Sequence, residues 1–252
     1  TKTILIKGGR VYDHDADTDR PAAADILIEG GRIVGIAPQI PAERAERVID
    51  AADRLVLPGF VNAHYHSHDT MLKGMLHPVP FDMWLLNCLP PAYPPRSPAE
   101  LRARTMLGAA ECLKSGITTL QDMVTLHPIS EENVDTVLAA YEEIGIRVVL
   151  SLQIGDRFGI ELTPFWRECV PEHLHDRLGS AVEEGAGAGP FEQAVEQYRR
   201  IGQGRPRMSW ALGPSTPLLC TPDLLRRIAA LAESDGLPVI THVNEARTEA
   251  LS

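Results

Sequence analysis

The chain has no run of about 18 apolar residues, so nothing in it is long enough to span a bilayer as a helix. It is short of positive charge as well: 24 Lys and Arg stand against 34 Asp and Glu, for a formal net charge of −10. Non-specific binding to nucleic acid or to an anionic membrane needs clustered positive charge, so both are excluded as partners, and a small or neutral molecule is expected instead. The four cysteines, Cys88, Cys112, Cys169 and Cys220, are widely spaced and form no C-x-x-C. That excludes a disulfide framework and a thiolate zinc site, and it predicts a reducing, cytoplasmic setting. The opening TKTILIKGGRVYD does not read as a signal peptide, because its apolar run is short and alternates with polar residues. The H-x-E and P-C-x-x-C pair of the zinc deaminases that act on nucleic acid does not occur.

What remains is the composition of an ordinary globular protein, with 252 residues, 44% hydrophobic and 23% charged. Residues 1–56 alternate apolar and polar positions in short runs, with Gly8-Gly9 and Gly30-Gly31 where hairpins should turn, which predicts a small β domain. Past Pro58 the rhythm becomes that of β/α units around a parallel sheet. Strands are expected at about 55–64, 116–122, 147–154, 208–213 and 238–243. Ser97-Pro98-Ala99-Glu100 predicts a helix start running to about Lys114, and Thr221-Pro222-Asp223 opens another that ends at Gly236. The glycine-rich stretch 183–190 does not fit G-x-G-x-x-G and reads as a plain loop.

LPGFVNAHYHSHD, from Leu57 to Asp69, places His64, His66 and His68 within five residues. On a strand, residues two apart face the same way, so His64 and His66 should project together from the strand's C-terminal end. Two imidazoles held there suit zinc or iron; a solvated histidine cluster fits the spacing equally well. PVITHVNEA adds a third imidazole, His242, at the expected end of the fifth strand, with Glu245 three residues later. A carboxylate at such a mouth can take a proton from water and hand it to a leaving nitrogen, although a surface loop is the commoner setting for a glutamate.

LPGFVNAHYH, SGITTLQDM, LGPSTPLLCT and THVNEA, in that order, resemble the amidohydrolase superfamily. The likeness is to its branch of heterocycle deaminases and dechlorinases, which includes cytosine, guanine and adenosylhomocysteine deaminase-like and atrazine chlorohydrolase-like proteins. The resemblance implies an α/β fold in which residues 1–56 are the N-terminal part of a small β-sandwich. Residues 57–252 would be the first five β/α units of a (β/α)8 TIM-like barrel. It implies His64, His66 and His242 as metal ligands, Glu245 as the proton shuttle, and one Zn2+, or alternatively Fe2+, per active site. Two-metal relatives bridge their ions with a lysine on the fourth strand; the only lysines here are Lys2, Lys7, Lys73 and Lys114, so a one-metal site is expected. The reaction implied is deamination or dehalogenation of a small nitrogen heterocycle, with hydrolysis of an amide or cyclic amide, or a non-catalytic binding or oligomerising role, as alternatives.

Relatives complete the site with a histidine on strand six and an aspartate on strand eight, and five strands cannot close a barrel. Further protein is therefore expected, as additional chain or a second fragment, with these 252 residues inactive alone; a homodimer is also expected. Where nucleoside deaminases carry a carboxylate pair, an arginine and a histidine, this chain has Asp82-Met83 before Trp84-Leu85, Gln153 and Ser215, which leaves recognition of ribose hydroxyls open. Trp84, Gln153 and His68 are candidate substrate contacts, with packing for Trp84 and solvation for His68 as the alternatives. Asp122 either orients a ligating imidazole or caps the loop after the second strand. His173 and His175 repeat the H-x-H spacing, but no strand leads into them and VPEHLHDRL reads as a helix start.

Overall fold

The computed structural model describes residues 2–88, 95–157, 165–176, 189–202, 205–245 and 249, and the chain resolves into two compact units, Thr1–Gly59 and Phe60–Ser252. Most of the glycine-rich stretch, 183–188, lies outside the described residues. No helix among the described residues is long and apolar enough to cross a membrane, and all four cysteines are free.

The first unit is a mixed five-stranded sheet built from β1 (Thr3–Val11), β2 (Ala23–Glu29), β3 (Arg32–Ala37), β4 (Arg47–Asp50) and β5 (Leu55–Val56). Its order is β3-β2-β1-β4, with β5 also pairing β1. The β2–β3 hairpin turns at Gly30 and Gly31, both at positive φ, as the Gly-Gly pair predicts. Gly8-Gly9 is not a hairpin. It is a bulge inside β1, with Gly8 at φ 74°, and the register against β2 shifts between Ile6 and Gly9. The reason is the buried Asp25, whose two carboxylate oxygens accept from Gly8 N (2.7 Å) and Ile40 N (2.9 Å) and so stabilise the extra residue where it stands. Leu5, Leu27 and Ile40 form the small core.

The second unit carries a parallel sheet in the order β6-β7-β8-β9, made of β6 (Phe60–Tyr65), β7 (Ile117–Val124), β8 (Arg147–Ile154) and β9 (Met208–Pro214). The helices are α1 (Phe81–Cys88), α2 (Pro98–Lys114), α3 (Glu131–Ile144), the short α4 (Trp166–Cys169), α5 (Gly189–Ile201) and α6 (Pro222–Asp235). The caps explain several boundaries. Ser97 accepts from Glu100 N ahead of α2, and Thr221 accepts from Leu224 N ahead of α6, each with proline at the first helical position. Gly145 and Gly236 close α3 and α6 in the left-handed conformation. The main core joins Leu120, Val124, Leu150 and Leu152 of the central strands to Val134, Leu138 and Tyr141 of α3.

Two expected strands differ in the structure. The strand expected at 55–64 splits at Leu57-Pro58-Gly59, so Leu55–Val56 joins the first sheet and Phe60–Tyr65 starts the second. Proline lacks the N–H that a continuous ladder would use. Among the described residues β6 pairs with β7 alone and leaves Phe60 and Val61 exposed. The strand expected at 238–243 is reduced to an isolated parallel bridge, Leu212 to Val239, with Leu212 N donating to Pro238 O and Ile240 N to Leu212 O, both 2.9 Å.

One glycine sets how closely a helix approaches. A Cβ on Gly108 of α2 would overlap the Tyr65 hydroxyl and sit 2.7 Å from Thr70 Oγ1. Tyr65 ends β6, and its hydroxyl lies 3.2 Å from Thr70 Oγ1. The bare helix backbone at Gly108 is what lets that tyrosine lie against α2.

Candidate metal centre

β6 delivers His64, and the chain stays extended at His66 (φ −131°, ψ 103°) before winding into a 3-10 turn, Ser67–Leu72. The two rings therefore meet as the period of two predicts, with Nε2 atoms 3.2 Å apart. His242, 176 residues further along, brings its Nε2 to 3.2 Å from His66 Nε2. One nitrogen of each of the three rings lies within 4.8 Å of the others, and this is the one grouping of metal-capable side chains among the described residues.

Two carbonyls decide which nitrogen of each ring faces inward. His66 Nδ1 lies 2.8 Å from Met123 O, and His242 Nδ1 lies 2.8 Å from Ser215 O. A carbonyl oxygen only accepts, so each Nδ1 carries the hydrogen and each Nε2 is left with a bare lone pair. In that neutral tautomer the Nε2 lone pairs of His66 and His242 face each other across 3.2 Å. A cation relieves that arrangement. Tetrahedral zinc at about 2.0–2.1 Å from each nitrogen would separate its ligands by about 3.3 Å, close to the 3.2 Å of the His64–His66 and His66–His242 pairs, so the donor set suits such an ion. Burial and the neighbouring His66 and His242 rings lower the pKa of His64, while the Glu245 carboxylate acts in the opposite direction.

The H-x-H segment is anchored from below. Asp122, fully buried near the end of β7, accepts from Ser67 N through Oδ1 (2.9 Å) and from the Tyr141 hydroxyl of α3 through Oδ2 (2.7 Å). Burial raises the pKa of Asp122 and pushes that of Tyr141 well above the ordinary phenol value. Both carboxylate oxygens thus go to the backbone turn and the tyrosine, while the carbonyl that orients His66 belongs to the next residue, Met123.

His68 is not the solvated histidine expected at that position. It is 4% exposed, because the 3-10 turn rotates its ring inward beside His66, with centroids 5.3 Å apart. Its Nδ1 accepts from Thr125 N (3.1 Å), its Nε2 lies 3.4 Å from Asp69 Oδ1, and its carbonyl accepts from Arg104 of α2 (2.5 Å). Burial first, then His66 and Arg104, hold its pKa well below the usual imidazole value. Burial also lifts Asp69 to about 6.

Gln153 at the end of β8 is committed within the protein: Thr125 Oγ1 donates to its Oε1 (2.5 Å), and its Nε2 donates to Ser215 Oγ (2.6 Å). Trp84 stacks on Phe81, three residues earlier on α1, with centroids 5.9 Å apart. Glu245 is exposed, follows Asn244 at φ 59°, and donates its backbone N–H to Glu249 Oε2 (2.8 Å). His173 lies in a 3-10 turn, Glu172–Leu174, and His175 bonds Val170 O (2.8 Å) and packs edge-on against Trp166, so neither joins the trio. Arg104 and Tyr141 were not anticipated as supports.

The amidohydrolase family model matches residues 55–251. A 5-methylthioadenosine/S-adenosylhomocysteine deaminase from Thermococcus kodakarensis is 32% identical over 251 residues, 98% of this chain and 50% of that protein. An 8-oxoguanine deaminase from Pseudomonas aeruginosa is 30% identical over 236 residues, covering 90% of this chain and 49% of that protein. Among solved structures, an atrazine chlorohydrolase from Arthrobacter aurescens TC1 complexed with zinc matches with a TM-score of 0.75 at 24% identity, covering 96% of this chain and 53% of that one. The chain thus spans about half the length of the curated relatives it matches.

Proposed function

Because the chain belongs to the amidohydrolase family, we propose that His64, His66 and His242 hold a divalent cation, zinc first and iron second, at a site that deaminates or dehalogenates a small nitrogen heterocycle. The observation that carries the reading is the convergence of two bare Nε2 lone pairs and a third imidazole on one point. When bound, such an ion supplies a Lewis acid that brings the pKa of water down toward about 7.

The chain's own residues do the rest. The Met123 and Ser215 carbonyls keep Nε2 of His66 and His242 facing inward. Glu245 accepts a proton at a carboxylate oxygen as the water oxygen bonds to the ring carbon, then returns that proton to the departing amino nitrogen. The ring carbon gains a C–O bond and loses its C–N bond, and ammonia leaves. Relatives named as deaminases support this reaction class, and imidazole donors without thiolate suit zinc or iron. The same reading takes the four parallel strands and the bridged segment at Val239 as successive units of a (β/α)8 barrel, and the first unit as part of a β-sandwich; the zinc-bound structure of similar fold supports it.

The test is ammonia release from a panel of aminated heterocycles by the complete protein. Glu245→Gln should lower turnover on the order of 10²–10⁴-fold while bound zinc stays unchanged. Undiminished turnover in that variant removes Glu245 from the proposal, and formation of a carboxylate without ammonia reassigns the site to amide hydrolysis.

A further inference from the structure

A line of hydrogen bonds crosses the C-terminal ends of the parallel strands and finishes at His242. It starts at the buried His68, passes to Thr125 beyond β7, then to Gln153 of β8 and Ser215 beyond β9. Ser215 carries it into the backbone, where its carbonyl meets both His242 Nδ1 (2.8 Å) and His242 N (3.2 Å).

Beyond its stacking on His66, few anchors for His242 stand among the described residues. Its segment is joined to β9 by the single bridge at Val239, and the residues on either side, Thr241 and Val243, are exposed. Among the described residues, the ring's Nδ1 is held by one carbonyl. That carbonyl is fixed in turn by Ser215 N donating to Ile154 O (2.8 Å) and by the Gln153 amide gripping the Ser215 hydroxyl from the neighbouring strand. Gln153 spends its oxygen on Thr125 and one N–H on Ser215, so the amide is oriented from both ends.

We propose that Gln153 and Ser215 are positioning residues for His242: through the Ser215 carbonyl they set the direction and tautomer of the third imidazole, and thereby the affinity of the site for its cation. The inference rests on the metal-site reading above. Loss of an outer hydrogen-bond partner of a ligating histidine typically lowers metal affinity 10–100-fold.

The experiment is zinc affinity of the complete protein, measured by competition with a chromophoric chelator, together with the visible absorption of the Co2+-substituted form. Gln153→Leu should weaken zinc binding about 10-fold or more and change the Co2+ bands. Gln153→Glu, whose carboxylate can accept from both the Thr125 and Ser215 hydroxyls, should recover most of the affinity and the parental spectrum; Ser215→Ala should behave like Gln153→Leu. Parental affinity and an unchanged Co2+ spectrum in both Gln153→Leu and Ser215→Ala would overturn the positioning role while leaving the site intact. A parent protein that binds no zinc would overturn the site and the positioning role together.

Discussion

The two flanks of the histidine trio are held in different ways. On one side, His64 and His66 emerge from β6 onto a turn fastened by the buried Asp122, by Tyr141 beneath it and by Arg104 from α2. On the other, His242 hangs from a one-bridge segment and takes its orientation from a single carbonyl. The first flank is fastened to the buried Ser67, His68 and Asp122, although His64 and the start of β6 are exposed, whereas the second borrows its rigidity from a neighbouring strand through side chains. Two ligands of the proposed site are thus preorganised by folding itself, and the third depends on local hydrogen bonding.

Losing a donor from the rigid flank should have the largest effect. His66→Ala is expected to weaken zinc binding by about two to three orders of magnitude, since whole-site energies of about 10–16 kcal/mol are shared among about four ligands. Chelator competition reads this directly, and a loss of only a few-fold would mean that the β6 pair is not the principal holder.

The next effect falls on stability. Asp122→Ala strands the Ser67 N–H and the Tyr141 hydroxyl in the core, at a cost of about 3 kcal/mol from two unsatisfied buried groups. Urea unfolding of the metal-free protein measures it. A change below about 1 kcal/mol would show that the two flanks are equally loose and dissolve the contrast.

The smallest expected effect is a pH slope. Burial keeps the folded pKa of His68 below the value near 6.5 of the unfolded chain, so the unfolded state binds the proton more readily. The stability this neutral ring contributes is complete above pH 6.5 and is lost as pH falls toward its folded pKa, at no more than about 1.4 kcal/mol per pH unit. Asp69 opposes it between about 6 and its ordinary value of 3.8, because burial raises its pKa and the folded state holds the extra proton there. Comparing unfolding at pH 7 and pH 6, His68→Gln should be flatter than the parent. Identical slopes would mean that the folded and unfolded chains bind this proton equally readily.

The contrast also explains what could be read from the sequence. The joint projection of His64 and His66 was legible because strand alternation is a local rule. The capped helices were legible for the same reason, as Ser97 and Thr221 act within three residues. The burial of His68 was not, because its direction depends on a 3-10 turn that no local pattern announces. The link between Gln153 and Ser215 joins residues 62 positions apart through two rotamers, which no periodicity encodes. The strand expected at 238–243 failed for a related reason: an apolar run becomes a ladder only where partners stand on its sides, and here β9 supplies just one bridge.

The back of α2 holds a hazard for anyone redesigning this protein. Gly108 looks like a position where alanine would improve helix propensity, yet a methyl group there collides with the hydroxyl of the tyrosine lodged between His64 and His66 in the chain. A substitution chosen to stiffen a helix would be transmitted along the ring of Tyr65 to the imidazoles on either side. Damage at the centre can therefore be inflicted from a residue that never touches it.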